Sequence, residues 1–223
     1  MTKEKVIIAW SGGKDSSMAL YTIRQNPQYE IMALLTTVSE AYDRISMHGV
    51  RRSLLERQAE ALGLPLEIVR IAASATNEEY ESRMREALTK YQAQGVTAVV
   101  FGDIFLEDLR RYREEKLKEV GLAGIFPLWR RDTVGLAREF IALGFKARIT
   151  CVDSNALDQG FVGRDFDAQF LADIPAQVDP CGENGEFHSF TYAAPIFRES
   201  VACQRGEVVF RENRFYFCDL VGL

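Results

Sequence analysis

Four joints of one design constrain the fold more than any other feature of this chain. The stretches "ALGLP", "AQGVT", "EVGLA" and "ALGFK" place Gly63, Gly95, Gly121 and Gly144 just past amphipathic runs, each followed by an apolar residue. A glycine at that place adopts the left-handed conformation that closes an α-helix. The runs ahead of and between these joints predict helices over 14–25, 53–62, 78–94, 107–119 and 133–143. Thr76 with Glu79 supplies the reciprocal cap expected at one helix start. Short apolar runs over 6–10, 31–38, 66–71, 98–101 and 147–152 predict strands. Strand, helix, glycine and strand in repetition imply an α/β chain built on a Rossmann-like, mainly parallel sheet. No repeat of fixed period accompanies that architecture.

The pattern changes near Asp153. Beyond it lie a glycine-rich stretch, "DPCGENGEFHSF", and an alternating run, "GEVVFRENRFYFCDLV", which predicts a hairpin turning at Glu212–Asn213. The expected organisation is therefore an α/β domain over 1–152 with a small C-terminal lobe over 153–223. A chain of 223 residues, 47% hydrophobic, can bury a core without disulfide staples. Its four cysteines contain no C-x-x-C pair and only two histidines could assist them, which argues against a zinc site or redox dithiol. A net charge of −5 argues against a general nucleic-acid surface, and the Arg110–Arg111 pair reads as a solvated helix face. No leader-like or membrane-length apolar run is present, so a cytoplasmic protein is expected.

The first strand ends in "SGGKDSS", Ser11 to Ser17, which leads straight into a helix. Glycine is costly to order in either element, so two in succession imply something held close to the backbone. The end of a parallel strand followed by a helix N-terminus is an anion site, with free N–H groups and the positive end of the helix dipole. Gly12 and Gly13 let the amides approach, Lys14 adds a charge, and Ser11 and Ser16 add hydroxyls. Neither G-x-x-x-x-G-K-S/T nor G-x-G-x-x-G fits this turn. "SGGKDS" instead resembles the signature loop of the PP-loop ATP pyrophosphatases, including its place after the first strand.

Three further stretches resemble one family within that group. These are "HGVR" at His48–Arg51, "FGDIFLEDLRRYRE" followed by "FPLW" over 101–129, and "GENGEFHSF" at Gly182–Phe190. Together with the loop, and in this order, they resemble the diphthine–ammonia ligase family over nearly the whole chain. Asp103, Asn184 and His188-Ser189 depart from the archaeal and eukaryotic pattern. With a chain ending at Leu223, they resemble a bacterial-type branch.

The resemblance implies an adenine nucleotide alpha hydrolase-like fold and an AMP-forming ligase. ATP with Mg²⁺ would activate a carboxylate, and ammonia would displace AMP to leave an amide. The acceptor would be diphthine on a translation elongation factor, or another small carboxylate. Ser11, Gly12, Gly13, Lys14, Asp15 and Ser16 would hold ATP, with Lys14 also catalytic. His48, Gly49, Arg51, Glu183, Gly185 and Glu186 would lie on the substrate side, and Glu186 and His188 would handle protons. Asp103 would hold Mg²⁺ or cap the next helix. Cys181 reads as structural rather than nucleophilic. No nucleic-acid or membrane partner is expected, and a homo-oligomer is compatible with the chain. Two other readings fit parts of the pattern: a transferase that adenylates a different acceptor, such as a nucleobase for thiolation, and a nucleotide-binding sensor without turnover.

Overall fold

The computed structural model describes residues 2–45, 48–72 and 74–223. The elements run β1 (Glu4–Ala9), α1 (Lys14–Arg24), β2 (Tyr29–Ser39), β3 (Arg44–Ile45), α2 (Arg52–Leu62), β4 (Leu66–Ile71), α3 (Asn77–Gln92) and β5 (Val96–Val100). They continue with α4 (Glu107–Glu119), β6 (Ala123–Ile125), α5 (Thr133–Ala142), β7 (Lys146–Asp153), α6 (Ala168–Asp173), β8 (Phe187–Ala193), β9 (Cys203–Arg211) and β10 (Phe215–Gly222). The five expected helices are present. Gly63, Gly95, Gly121 and Gly144 all have positive φ, and Thr76 and Glu79 form the reciprocal cap.

In the first sheet β1 lies between β2 and β5, with β4 outside β2 and β6 outside β5, all parallel. The short β3 adds antiparallel to the end of β2. Alternate residues of β1 enter different cores: Val6 and Ile8 face one cluster, Ile7 the other. That is the expected consequence of side-chain period two in a sheet covered on both faces. The second sheet, β8-β7-β10-β9, is antiparallel throughout. The hairpin turns at Glu212–Asn213, both with positive φ.

One expectation about placement changes. The run 147–152 is a strand, but β7 pairs only with β8 and β10, so the change of sheet comes before β7 rather than after residue 152. A strand's apolar character says it is buried, not which sheet receives it. The larger core cluster runs from Val6 to Leu220 and includes residues of both sheets. The C-terminal segment thus packs on the α/β unit through a shared core. Among the described residues no helix is long and apolar enough to cross a membrane.

Candidate active site

The turn between β1 and α1 is braced from two sides. Gly12 has φ +75°, and a Cβ there would lie 2.6 Å from Gln58 Oε1 and 2.7 Å from Leu55 Cδ2. Only glycine fits that conformation in that space. Gln58, fully buried on α2, accepts a hydrogen bond from Trp10 Nε1 at 3.0 Å. Its Nε2 donates to the carbonyls of Gly12 at 3.0 Å and Thr191 at 2.6 Å. Thr191 N also donates to the Gly12 carbonyl at 2.8 Å. Gly102, after β5, lets that strand's end press on the first turn of α1, since a Cβ would come within 2.9 Å of Ser16 N.

The helix start carries no side-chain cap at Gly13. Lys14 N donates to Ser189 Oγ at 3.2 Å and Gly13 N to Ser11 Oγ at 3.3 Å. Ser16 and Ser17 spend their hydroxyl protons on the Gly13 carbonyl at 3.0 and 2.9 Å. Lys14 is only 4% exposed, and its Nζ lies 2.6 and 2.8 Å from the two Asp15 oxygens. Burial, the largest single influence, works against its charge, but Asp15, Cys181 and Glu183 together outweigh it and raise the ammonium above its ordinary range. The rings of Phe166 and Phe187 flank the same ammonium, 5.9 and 5.6 Å away.

The two histidines of the chain meet here. Their ring centroids are 4.5 Å apart at 35°, His48 from the turn after β3 and His188 from β8. His48 Nδ1 lies 3.3 Å from the Ser189 carbonyl, which as an acceptor favours the Nδ1–H tautomer. Its Cε1 is 3.2 Å from where a Gly13 Cβ would stand, so the pair sits on the turn itself. Burial, opposed by the Ser189 carbonyl and reinforced by Lys14, pulls His48 down to about 4. Burial, His48 and Lys14 take His188 well below the ordinary range. Its Nε2 is buried and has no hydrogen-bond partner. Both imidazoles are therefore neutral and weakly basic at physiological pH.

The glycine-rich loop divides its acids. Glu186 turns inward: its oxygens accept from Asp179 N, Asn184 N and Asn184 Nδ2, each at 3.0 Å. That geometry holds the loop shut, in contrast to the catalytic and substrate roles expected of Glu186. Gly185 has φ +87° with open space around its missing Cβ, and its N–H donates to the Gly182 carbonyl at 3.1 Å, so it serves this tight loop. Glu183 reaches across instead, accepting from Ile104 N at 2.7 Å and Phe105 N at 3.3 Å. Burial raises Glu183 to about 7, with Asp15 adding and the two N–H groups and Lys14 opposing. Cys181 is buried, its thiol donates to the Thr133 carbonyl at 3.4 Å, and burial pushes it up to about 12, as suits a structural cysteine.

Glu183 carries a stability prediction. Its folded-state pKa lies above its unfolded value, so between pH 4.5 and 7 the folded chain holds a proton that the unfolded chain has lost. Its contribution to stability is present in full below pH 4.5 and is lost as pH rises through 7. Glu183→Gln keeps an acceptor for the two N–H groups and removes the titration. The variant should gain stability over the parent at pH 8 and not at pH 4.5, by urea unfolding. Equal differences at both pH values would show that Glu183 is not the titrating group.

The remaining expected residues are engaged elsewhere. Asp103, just past β5, pairs with Arg113 of α4 at 2.8 Å and does not cap the helix, whose N-cap is Leu106. Burial raises its carboxyl and Arg113 opposes. Asp103 still bears on the turn, since its charge acts on Asp15. Among the described residues no three His, Cys, Asp or Glu side chains cluster as a metal cage. Mg²⁺ needs none, because one or two carboxylates with phosphate oxygens and water complete its shell. Arg51 is not a free anion fork: it binds Asp219 through Nη2 at 2.5 Å and Nε at 3.1 Å. Gly49 lies against Phe217, 2.8 Å from its missing Cβ. Gln58 and Thr191 carry the turn yet lie in no motif, and Ser189 carries it from within the Gly182–Phe190 stretch with nothing there to mark it for that role. Their signal is spatial, a buried amide and two hydroxyls brought in from α2 and β8.

Two family models match in tandem, the diphthamide synthase N-terminal domain over residues 4–124 and its C-terminal domain over 132–220. The chain is 27% identical over 221 residues to the diphthine–ammonia ligase of Homo sapiens, covering 89% of this chain and 82% of that one. It is 24% identical over 226 residues to that of Schizosaccharomyces pombe, covering 92% of this chain and 37% of that one. Among solved structures, the U34-tRNA thiolase NcsA from Methanococcus maripaludis, with its 4Fe-4S cluster, matches 65% of this chain and 59% of its own at a TM-score of 0.40 and 16% identity. With the first model alone covering more than half of its length, the chain belongs to the diphthamide synthase family.

Proposed function

We propose that this chain is an ATP-dependent, AMP-forming amide ligase. The observation that carries the reading is the Ser11–Ser16 turn: a buried, charged Lys14 at the start of a helix whose N-cap, Gly13, has no capping side chain, in a chain matched by both domains of the family. Bound ATP supplies an adenylyl group to an acceptor carboxylate, with loss of pyrophosphate. Ammonia then attacks the acyl carbon, AMP leaves with the C–O electron pair, and one proton is released. Lys14 and the first-turn amides of α1 would hold the charge that develops on the departing phosphates, as preorganised donors do. Asp103 would give a carboxylate to the Mg²⁺ that travels with the phosphates. His48 and His188, both neutral and close to a lysine, would hydrogen-bond a neutral nitrogen nucleophile and disfavour its ammonium form.

The relatives' name makes diphthine the first acceptor to test, carried on a translation elongation factor as the family resemblance implies. The chain should convert ATP, ammonia and that protein to AMP, pyrophosphate and an amide in equal amounts, read by chromatography and by intact mass. ADP and orthophosphate as first products would overturn the ligase reading. AMP formed only with a different carboxylate would keep the chemistry and change the acceptor.

A further inference from the structure

The turn that carries His48 is fastened at both ends to one carboxylate of the C-terminal hairpin. Asp219, on β10, accepts from Arg44 Nη1 at 2.7 Å, Arg51 Nε at 3.1 Å and Arg51 Nη2 at 2.5 Å. The same Arg44 Nη1 donates to the Gly49 carbonyl at 2.7 Å, next to His48. Within the turn, Ile45 N donates to the Val50 carbonyl at 2.9 Å and Gly49 N to the Ile45 carbonyl at 3.1 Å. Phe217, two residues before Asp219, fills the space that a side chain at position 49 would need. No other carboxylate touches either arginine among the described residues.

We propose that Asp219 is a positioning residue for the ligase site, holding His48 against Gly13 and His188 through Arg44, Arg51 and the Gly49 carbonyl. The physical case rests on charge. Arg44 and Arg51 flank the turn, and only the carboxylate between them lets two guanidinium groups share that position without repulsion. Asp219 is 19% exposed, which makes its pairs worth more than surface ones. Burial opposes its ionisation, yet the hydrogen bonds from Arg51 and Arg44 prevail and hold it down to about 2, so the clamp stays charged at any working pH. Besides these groups, the charged or titratable side chains bearing on His48 are Lys14 of α1 and His188 of β8.

The test uses the full chain, whose two histidines give only two imidazole Cε1–H signals. His48→Gln and His188→Gln assign them. In the parent, a nuclear Overhauser contact should join the two rings, and neither should titrate between pH 5 and 8. In Asp219→Ala the contact should vanish and His48 alone should begin to titrate in that range. Should Asp219→Ala not fold, Asp219→Asn, which keeps one acceptor and loses the charge, decides by the same signals. Persistence of the ring contact with both histidines silent, in a variant that melts cooperatively, overturns the proposal. A turnover arm rests on the proposed ligase reading: kcat should fall roughly 10- to 100-fold with KM for ATP unchanged, the cost of misplacing a site group by about an ångström. Absence of turnover in the parent would count against the ligase reading, while the imidazole signals still decide the role of Asp219.

Discussion

Lys14→Ala should lower AMP-forming turnover by roughly 100- to 1,000-fold, the loss typical of removing one preorganised donor to developing charge. ATP binding should weaken by about 1.5–3 kcal/mol, the worth of a hydrogen bond to a charged group. The structure adds a second way for this substitution to do harm. Lys14 Nζ holds both oxygens of Asp15, so its removal leaves that carboxylate without its partner, and a lost counter-charge could imitate a lost phosphate contact. Lys14→Ala combined with Asp15→Asn separates the two. If the ammonium acts on ATP, relieving Asp15 restores folding stability but neither ATP affinity nor turnover. Calorimetric titration of ATP into both variants, with pyrophosphate release as the second readout, gives the answer. Parental ATP affinity in Lys14→Ala would remove Lys14 from the nucleotide site.

Much of this site is legible along the chain because its elements announce themselves locally. Helix ends carry glycine, the capping box needs only Thr76 and Glu79, and "SGGKDS" marks an anion turn by composition and by its place after an apolar run. What escapes is whatever depends on two distant segments meeting. β6 is three residues long, too short to stand out as a run. β7 reads as a strand, yet its choice of sheet is made by β8 and β10, which pair with it from both sides. Glu183 and Glu186 are three apart in one loop and look equivalent, but one crosses to the amides of Ile104 and Phe105 while the other closes its own loop. Arg51 has the composition of an anion-binding fork, and its anion is Asp219 of the same chain. His48 and His188 owe their shared neutrality first to burial and then to Lys14, with His48 adding to the effect on His188, and none of this shows along the chain.

Gln58 is the residue for which that gap between sequence and site should cost most. A glutamine within "SLLERQAEAL" reads as one more polar position on a helix, whereas the structure buries it completely and gives it three hydrogen bonds. Gln58→Leu should destabilise the protein by about 2–4 kcal/mol, because it strands the Trp10 indole N–H and deprives the Thr191 carbonyl, at about 1–3 kcal/mol for each buried group left unpaired. The Gly12 carbonyl keeps its bond from Thr191 N, so its loss is partial. At 2–4 °C per kcal/mol for a chain of this size, the melting temperature should fall by roughly 5–15 °C. Gln58→Glu distinguishes a bracing amide from a merely polar filler. Its second oxygen would face the carbonyls of Gly12 and Thr191, where only a protonated carboxyl can donate, and then to one of them. Its folded-state pKa must therefore lie above its unfolded value, so the variant's stability deficit relative to the parent should be smaller near pH 5 than near pH 8. Both variants should also weaken ATP binding, since Gln58 Oε1 and Leu55 define the space that forces Gly12 into its left-handed turn. If Gln58→Leu loses stability while ATP affinity stays at the parental value, the brace serves the fold alone and the anion turn keeps its shape without it.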